Sequence, residues 1–179
     1  DGSITTKDKR VIGDPNPDFL LNFNTSVSWK GFTLSAFLQG SFGGDIYSLT
    51  MASIAYDYAN NGNVLKDVYY NHWTPDKTDA KYPNLISNLN LKLSDRFVYD
   101  ATYLRLKNVE LSYAIPCKGR FLQKAKVYVS GQNLVTFTSY PLWNPDVNAK
   151  GGGSSLTQGV DDSCYPIART ITLGCRLTF

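Results

Sequence analysis

The sequence is poor in the residues from which catalytic, disulfide and metal sites are usually built. Its 179 residues include a single histidine and three cysteines. The odd number of cysteines and the lack of any Cys-x-x-Cys spacing argue against a disulfide framework and against a four-ligand zinc site. Basic and acidic residues number 18 and 15 and form no long run of one sign. The charge pattern therefore does not indicate a nucleic-acid partner.

Enzymatic activity is not indicated either. His72 is the only histidine available to a nucleophile–base pair, and no nucleophile elbow lies near it in the sequence. The glycine-rich stretch at 151–155 lacks the lysine that completes a phosphate-binding loop. We therefore expect no catalytic residues in this chain.

Long apolar runs are also missing, which excludes a transmembrane helix. No stretch approaches the ~18 consecutive apolar residues that such a helix requires. The first residues have neither the basic nor the apolar region of a signal peptide, so we expect any signal to have been removed or to lie upstream of this fragment. These absences do not exclude a membrane protein, because barrel strands are only half apolar and give a weak hydropathy signal.

The sequence does contain alternation with a period of two. From Ile171 to Phe179 every second residue is apolar, and the residues between are polar or glycine, as in a strand with one apolar face. The content of 13% aromatic residues also favours β-structure. Alternation of this kind predicts five strands, at about residues 19–29, 32–42, 103–115, 125–138 and 167–179.

The connections between these strands are alternately short and long. Lys30 and Gly31 form the first and a turn after Pro116 forms the third, whereas residues 43–102 and 139–166 form two long ones. Outer-membrane β-barrels have this asymmetry, with tight periplasmic turns and long extracellular loops. The alternative, a soluble secreted β-sandwich that binds a ligand, would have turns about every 8–12 residues. We therefore expect an all-β fold in which the two long loops are extracellular.

The alternation also predicts which face of each strand is apolar. A face toward lipid is expected for Leu21, Phe23, Val27, Leu34, Leu111, Ile171 and Leu173. A face toward the lumen is expected for Asn22, Asn24, Ser26, Ser35 and Thr172.

Seven short motifs, in order along the chain, resemble the carboxy-terminal part of the SusC/RagA family of TonB-dependent outer-membrane transporters. They are IGDPNPDF at 12–19, WKGF at 29–32, WTP at 73–75, AKYP at 80–83, SDR at 94–96, YLRLKNV at 103–109 and VSGQNL at 129–134. Together they span nearly the whole chain. The resemblance implies that residues 1–179 are the carboxy-terminal antiparallel strands of a large transmembrane β-barrel of about 22 strands.

The resemblance also implies a function and partners. Such transporters import oligosaccharides or oligopeptides across the outer membrane of Gram-negative Bacteroidota, with a SusD-like surface lipoprotein as a lid. Their energy comes from the TonB complex, which acts through amino-terminal parts that have no counterpart here. We therefore expect the chain to contribute barrel wall against outer-membrane lipid and contacts to the lid, and no chemical step.

Aromatic residues in the two expected loops are the candidates for ligand contact, because aromatic faces stack on sugar rings and pack against peptide side chains. They are Trp73, Tyr82 and Trp143. The first two lie in family motifs and are also suited to fixing the shape of a loop. The charged residues Asp95, Arg96, Arg105 and Lys107 are expected to hold the base of the loops and the rim of the lumen rather than to bind ligand. Phe179, at the end of the apolar row, is expected to be the recognition signal for barrel assembly.

No cofactor is expected, with one open alternative. Asp1, Gly2 and Asp8 are spaced as in the second half of a calcium-binding loop. The upstream ligands would lie outside this chain, and Asp8 stands where a bidentate glutamate is usual. A plain extracellular turn near Asp1 and Asp8 accounts for the same residues.

Overall fold

The chain divides into two compact units, each formed by three stretches of sequence. The structure, a computed structural model, describes residues 5–56, 62–85, 94–117, 121–147 and 158–179. The first unit comprises Asp1–Pro15, Asp45–Tyr99 and Val147–Cys164. The second comprises Asn16–Gly44, Asp100–Asp146 and Tyr165–Phe179. We refer to them below as the loop unit and the sheet unit.

The sheet unit is a single antiparallel sheet of five strands. Its strands are β1 (Phe19–Trp29), β2 (Phe32–Phe42), β5 (Tyr103–Ile115), β6 (Lys124–Thr138) and β8 (Thr170–Thr178). They lie in the order β1-β2-β5-β6-β8, with every neighbouring pair antiparallel. The prediction of antiparallel strands is confirmed for this sheet.

The turn between β1 and β2 is set by two residues with positive φ. Lys30 has a φ of 46° and Gly31 a φ of 90°, which is the pattern of a type I′ turn. The twist of this turn matches the twist of the two strands, so Trp29 and Phe32 lie directly opposite each other. The Lys30 ammonium lies 4.7 Å from the centroid of the Trp29 ring, which adds a cation–π contact at the tip.

Strand register aligns the apolar residues into rows that cross the whole sheet. One row consists of Val27, Leu34, Leu111, Val129 and Leu173. The neighbouring row toward the sheet centre consists of Thr25, Ala36, Val109, Gly131 and Ile171. Aliphatic side chains on this face are well exposed, with Val27 at 66% and Leu173 at 84%. The rows form a continuous apolar surface of the kind that monomeric soluble proteins rarely expose.

The opposite face is polar along the same strands. One row runs through Ser26, Ser35, Glu110, Ser130 and Thr172. The Lys126 ammonium forms an ion pair with the Glu110 carboxylate at 3.0 Å. Within the sheet unit, the described strands form one sheet only, and no second sheet covers the apolar rows. The β-sandwich alternative is therefore wrong, because a sandwich buries its apolar faces between two sheets.

The limits of two predicted strands need correction. The last strand is Thr170–Thr178 rather than 167–179, and β6 begins at Lys124 rather than at residue 125. Pairing between β6 and β8 starts at Gln132 and Thr170, because the next residue, Asn133, has a φ of 51° and leaves the ladder. At the other end the Gln123 amide donates to the Thr178 carbonyl, so Phe179 lies beyond the last paired residue.

The loop unit contains short elements around a small core. They are β3 (Asp45–Ser48), α1 (Leu49–Tyr56), α2 (Lys66–Tyr70), β4 (Val98–Asp100) and β7 (Val160–Asp161). The three strands form a second sheet in the order β4-β3-β7, with β3 parallel to β7. Residues of four segments form its core, namely Ala55, Val68, Leu85 and Phe97. The stretch 43–102, predicted only as a connection, is therefore a folded region wherever it is described.

Among the described residues, neither helix is long and apolar enough to cross a membrane.

Candidate functional site

Trp73 and Tyr82, two of the predicted ligand contacts, lie on paired backbone segments of the loop unit. The Trp73 amide donates to the Tyr82 carbonyl at 2.8 Å, and the Tyr82 amide donates to the Asn71 carbonyl at 3.0 Å. These bonds tie the segment after α2 to the AKYP motif. The backbone at both aromatic residues is therefore fixed by hydrogen bonds.

The Asp67 carboxylate strengthens this pairing. It accepts hydrogen bonds from Lys81 Nζ at 2.9 Å, from the Tyr82 hydroxyl at 2.8 Å and from Asn71 Nδ2 at 2.7 Å. These donors, Lys81 first, lower the pKa of Asp67 to about 2, because each of them favours the charged carboxylate. The same contacts raise the pKa of Lys81 above its usual value. The group is solvent-exposed, so we assign it a role in local shape rather than a large share of stability.

Trp73 and Tyr82 differ in what they offer to a ligand. The Tyr82 side chain packs against the core of the loop unit, and its hydroxyl is used by Asp67. Trp73 is 38% exposed. Tyr82 is thus positioned to support the local frame, and Trp73 retains an accessible ring surface.

Two further aromatic residues lie nearby that the sequence did not single out. Tyr69 and Tyr70, at the end of α2, are 53% and 63% exposed. Their rings meet edge to face, with centroids 5.3 Å apart. Val68, the preceding residue, is buried in the core at 1% exposure, which turns the two tyrosines outward. The high density of aromatic residues between 69 and 73 could have indicated this site. Alternation with a period of two, however, does not predict which side chains of a five-residue helix face outward.

Trp143 lies in the sheet unit, on a segment that a buried arginine holds in place. Arg105 is 2% exposed. Its Nε donates to Thr136 Oγ1 at 3.0 Å, its Nη1 to Asp146 Oδ2 at 3.3 Å, and its Nη2 to Asn144 Oδ1. Tyr140, just before the segment, is 4% exposed. Trp143, between these anchors, is 63% exposed, so the arginine holds the base of the loop and the indole ring beside it is accessible.

Phe179 lies at the same end of the strands as the short turn between β1 and β2. Its side chain is 77% exposed. Thr178 pairs with Lys124 at the start of β6. Phe32 pairs with Tyr113 near the end of β5. The turn between Trp29 and Phe32 is therefore at the same end of the strands as Phe179. The Phe32 and Tyr113 ring centroids are 4.5 Å apart. This end of the strands therefore carries a border of aromatic residues, as the ends of barrel strands do.

The residues considered for calcium are only partly described. Asp1 lies outside the described residues. The Asp8 carboxylate accepts from the Thr5 amide at 2.6 Å and from the Thr5 hydroxyl at 3.2 Å, an exchange that caps the short 3₁₀ helix Thr6–Asp8. In the described ranges, no group of three or more His, Cys, Asp or Glu side chains is arranged to hold a metal ion.

Comparison with known proteins gives a consistent result. No family model matches the chain. It is 36% identical over 184 residues to TonB-dependent receptor P3 of Formosa agariphila, which covers 99% of the chain and 18% of that protein. It is 26% identical to the TonB-dependent receptor SusC of Bacteroides thetaiotaomicron, over 99% of the chain and 17% of that protein. The RagAB peptide importer in its closed-closed state matches the fold with a TM-score of 0.81, at 23% identity, over 100% of the chain and 19% of that structure's chain.

A single antiparallel sheet, with one exposed apolar face and with a two-residue turn between β1 and β2, defines the class as the wall of a transmembrane β-barrel. The chain belongs to the TonB-dependent receptors, SusC among its relatives, and its fold matches the corresponding part of RagAB. It spans about a fifth of the length of the relatives that it matches. Those relatives are receptors and importers rather than enzymes.

Proposed function

We propose that the chain forms part of the wall and of the outer loops of an outer-membrane, TonB-dependent importer of oligosaccharides or oligopeptides. One observation carries the proposal, which is the set of apolar rows that cross all five strands and leave Val27, Leu34 and Leu173 exposed. A surface of this size is stable only against lipid or another protein. The opposite, polar face suits a water-filled lumen.

The partners in this proposal follow from the family. A SusD-like lipoprotein would act as the lid over the barrel mouth, and the TonB complex would drive transport through parts of the protein outside this chain. The RagAB complex that matches the fold is a peptide importer, whereas the name SusC specifies no substrate. The proposal therefore includes both oligosaccharides and oligopeptides as substrates.

The site residues enter the proposal with different roles. Trp143 and Trp73 would contact the ligand, because both have accessible indole rings, Trp73 on hydrogen-bonded backbone and Trp143 next to Asn144, which Arg105 binds. Tyr82 would contact the ligand at most through its ring edge, because its hydroxyl and one face are used. A test is uptake of labelled oligosaccharides and oligopeptides by cells that carry the full-length protein. Trp143→Ala should raise the half-saturating concentration by about tenfold, the loss expected when one stacked ring is removed, and should leave the maximal rate unchanged.

The topology proposed for the long connections can be tested directly. Loops 43–102 and 139–166 would face the outside of the cell, and the turn at Lys30 the periplasm. In a full-length protein whose cysteines are replaced by serine, Asp79→Cys should react with an impermeant thiol reagent on intact cells. Lys30→Cys, the matched control, should react only after the outer membrane is opened. The reverse pattern would contradict the proposed orientation.

Phe179 is proposed as the recognition signal for barrel assembly. Its exposure, beyond the last backbone pair of β8, leaves it accessible to an assembly factor. Burial of one aromatic side chain contributes roughly 1.5–3 kcal/mol, a loss that a large closed barrel tolerates. Deletion of Phe179 should therefore lower the amount of inserted protein strongly and leave the heat resistance of the inserted fraction near normal. Normal surface levels would show that Phe179 is an ordinary border residue.

A further inference from the structure

The outward face of α2 forms one side of a depression in the loop unit. Its volume is about 400 Å³, and its lining consists of Gly62, Asn63, Val64, Lys66, Tyr69 and Tyr70. That volume is within the range of small-molecule sites, about 300–1,000 Å³. The depression is separate from the predicted contacts at Trp73, Tyr82 and Trp143, which do not line it.

The aromatic rings of the depression are held in place. The Tyr69 and Tyr70 rings pack edge to face at an interplanar angle of 82°. The Tyr69 ring also lies 6.1 Å from the His72 ring, centroid to centroid. Helix α2 itself is anchored from two sides, by Val68 in the core and by Asp67 in its bonds to Lys81, Tyr82 and Asn71. Ligand binding would therefore cost little conformational entropy for ordering these rings.

The charge at this depression is positive. Lys66 Nζ lies 5.9 Å from the centroid of the Tyr70 ring, and in the described part of the chain Lys66 forms no ion pair. Lys77 Nζ lies close by, donating to the Tyr70 carbonyl at 3.2 Å. The neighbouring carboxylate, that of Asp67, is occupied by Lys81. No acidic residue is among those that line the depression.

We propose that this depression binds an acidic sugar unit, one that carries a carboxylate or a sulfate. The faces of two exposed tyrosine rings carry negative partial charge and attract the C–H side of a pyranose ring. The Lys66 ammonium pairs with the anionic group, and the exposed Asn63 amide is available to hydroxyls. A peptide is a poorer match, because Val64 is the only aliphatic side chain in the lining and side-chain recognition needs apolar pockets.

This inference deepens the proposed import function and rests on it for its biological meaning, but its test does not require transport. The full-length protein is purified in detergent and titrated with four probes. They are a tetrasaccharide of galacturonic acid, a sulfated galactose tetrasaccharide, neutral maltotetraose and tetraglutamate. The first two probes distinguish carboxylate from sulfate, the third measures stacking alone, and the fourth tests an acidic peptide.

Two variants and two matched controls decide the outcome. Tyr70→Ala should weaken binding of all three sugars by about tenfold, the effect of one lost stacking contact. Lys66→Gln should weaken binding of the acidic sugars alone, down to the affinity of the neutral one. Tyr165→Ala, at a tyrosine that is 91% exposed elsewhere, and Lys9→Gln, at an exposed lysine, should change nothing. Heat resistance of each variant confirms that it is folded.

The proposal is overturned if the acidic sugars bind no tighter than maltotetraose, if tetraglutamate binds best, or if both depression variants bind like the unaltered protein. The import proposal itself would fail if TonB-dependent uptake or outer-membrane localisation were absent. Binding to the purified protein and its dependence on Lys66 would remain measurable in that case. The two failures are therefore distinguishable.

Discussion

The two units of this chain manage apolar residues in opposite ways. The sheet unit exposes its aliphatic side chains in rows, so that Leu173 is 84% and Ile171 77% accessible. The loop unit buries its own in a small core, where Val68 is 1% and Phe97 4% accessible. The difference shows that the loop unit is built like a small water-soluble domain, whereas the sheet unit needs an apolar surrounding to be complete.

The polar groups that hold the two candidate tryptophan segments differ in burial. In the sheet unit Arg105 is buried, and its bonds to Thr136, Asn144 and Asp146 fix the segment that follows β6. In the loop unit the network around Asp67, which holds the Trp73 segment, is on the surface, although Thr50 and Asp161 of the same unit are buried and hydrogen-bonded to each other. Buried charge-assisted bonds are strong and specific, while exposed ones are weak. We therefore expect the segment that carries Trp143 to be held more firmly than the segment that carries Trp73.

The largest expected effect is in the core of the loop unit. Phe97→Ala, made in the full-length protein, should reduce the local stability of this unit by about 3–5 kcal/mol, because it leaves a cavity among Ala55, Val68 and Leu85. Protease added to intact cells should then cut between residues 62 and 85 much faster. Val11→Ala, at a side chain that is 92% exposed, is the control and should have no effect. Loss of heat resistance of the whole barrel in Phe97→Ala would show that the two units do not behave separately.

A smaller effect is expected in the sheet unit, and it should depend on the face. Ala36 lies in the middle apolar row, and Ser35 lies on the polar face opposite Glu110. Ala36→Arg should cost about 2–4 kcal/mol of barrel stability, because it places a charge toward lipid near the midplane. Ser35→Arg should cost much less, since the lumen is wet and Glu110 offers a partner. Unfolding by denaturant in lipid vesicles measures both, and equal costs would contradict the assignment of faces.

The smallest effect concerns pH and the Asp67 network. The pKa of Asp67 is lowered from 3.8 to about 2 in the folded protein. A lowered folded pKa means that the stabilisation is complete above the unfolded pKa and is lost as pH falls through the folded one. Cleavage of the 66–82 segment by pepsin should therefore rise between about pH 4 and pH 2, beyond the change in the enzyme's own activity. Asp67→Asn should remove this dependence, and a transition that survives in Asp67→Asn would assign it to another group.

The sequence predicted the sheet much better than the loops. Alternation gave the limits of β1 and β2, and the register of the structure places the predicted apolar residues of these strands on one face. It misplaced the start of β8, because the positive φ of Asn133, where pairing with β8 ends, is not visible in alternation. In the loop unit the elements are 2 to 8 residues long, too short for a periodic pattern to stand out.

The candidate site, too, could be predicted from the sequence only in part. Trp73, Tyr82 and Trp143 could be selected because tryptophan and tyrosine in long connections are recognisable from composition. The sequence could not show that Tyr82 donates to Asp67, 15 residues away. It also could not show that Tyr69 and Tyr70 turn outward, since that depends on Val68 entering a core shared with Phe97.

The sequence by itself determined that the protein is built of antiparallel strands with one apolar face and short turns along one edge. It could do so because strand faces and hairpin turns depend on residues that are close along the chain. The tertiary structure decided the rest, namely the Arg105 anchor, the core of the loop unit and the depression beside α2. The Arg105 bonds and the core join side chains from separate segments, and such contacts exist only once the chain has folded. The depression is lined by residues 62–70 alone, but its tyrosines face outward because Val68 enters that core.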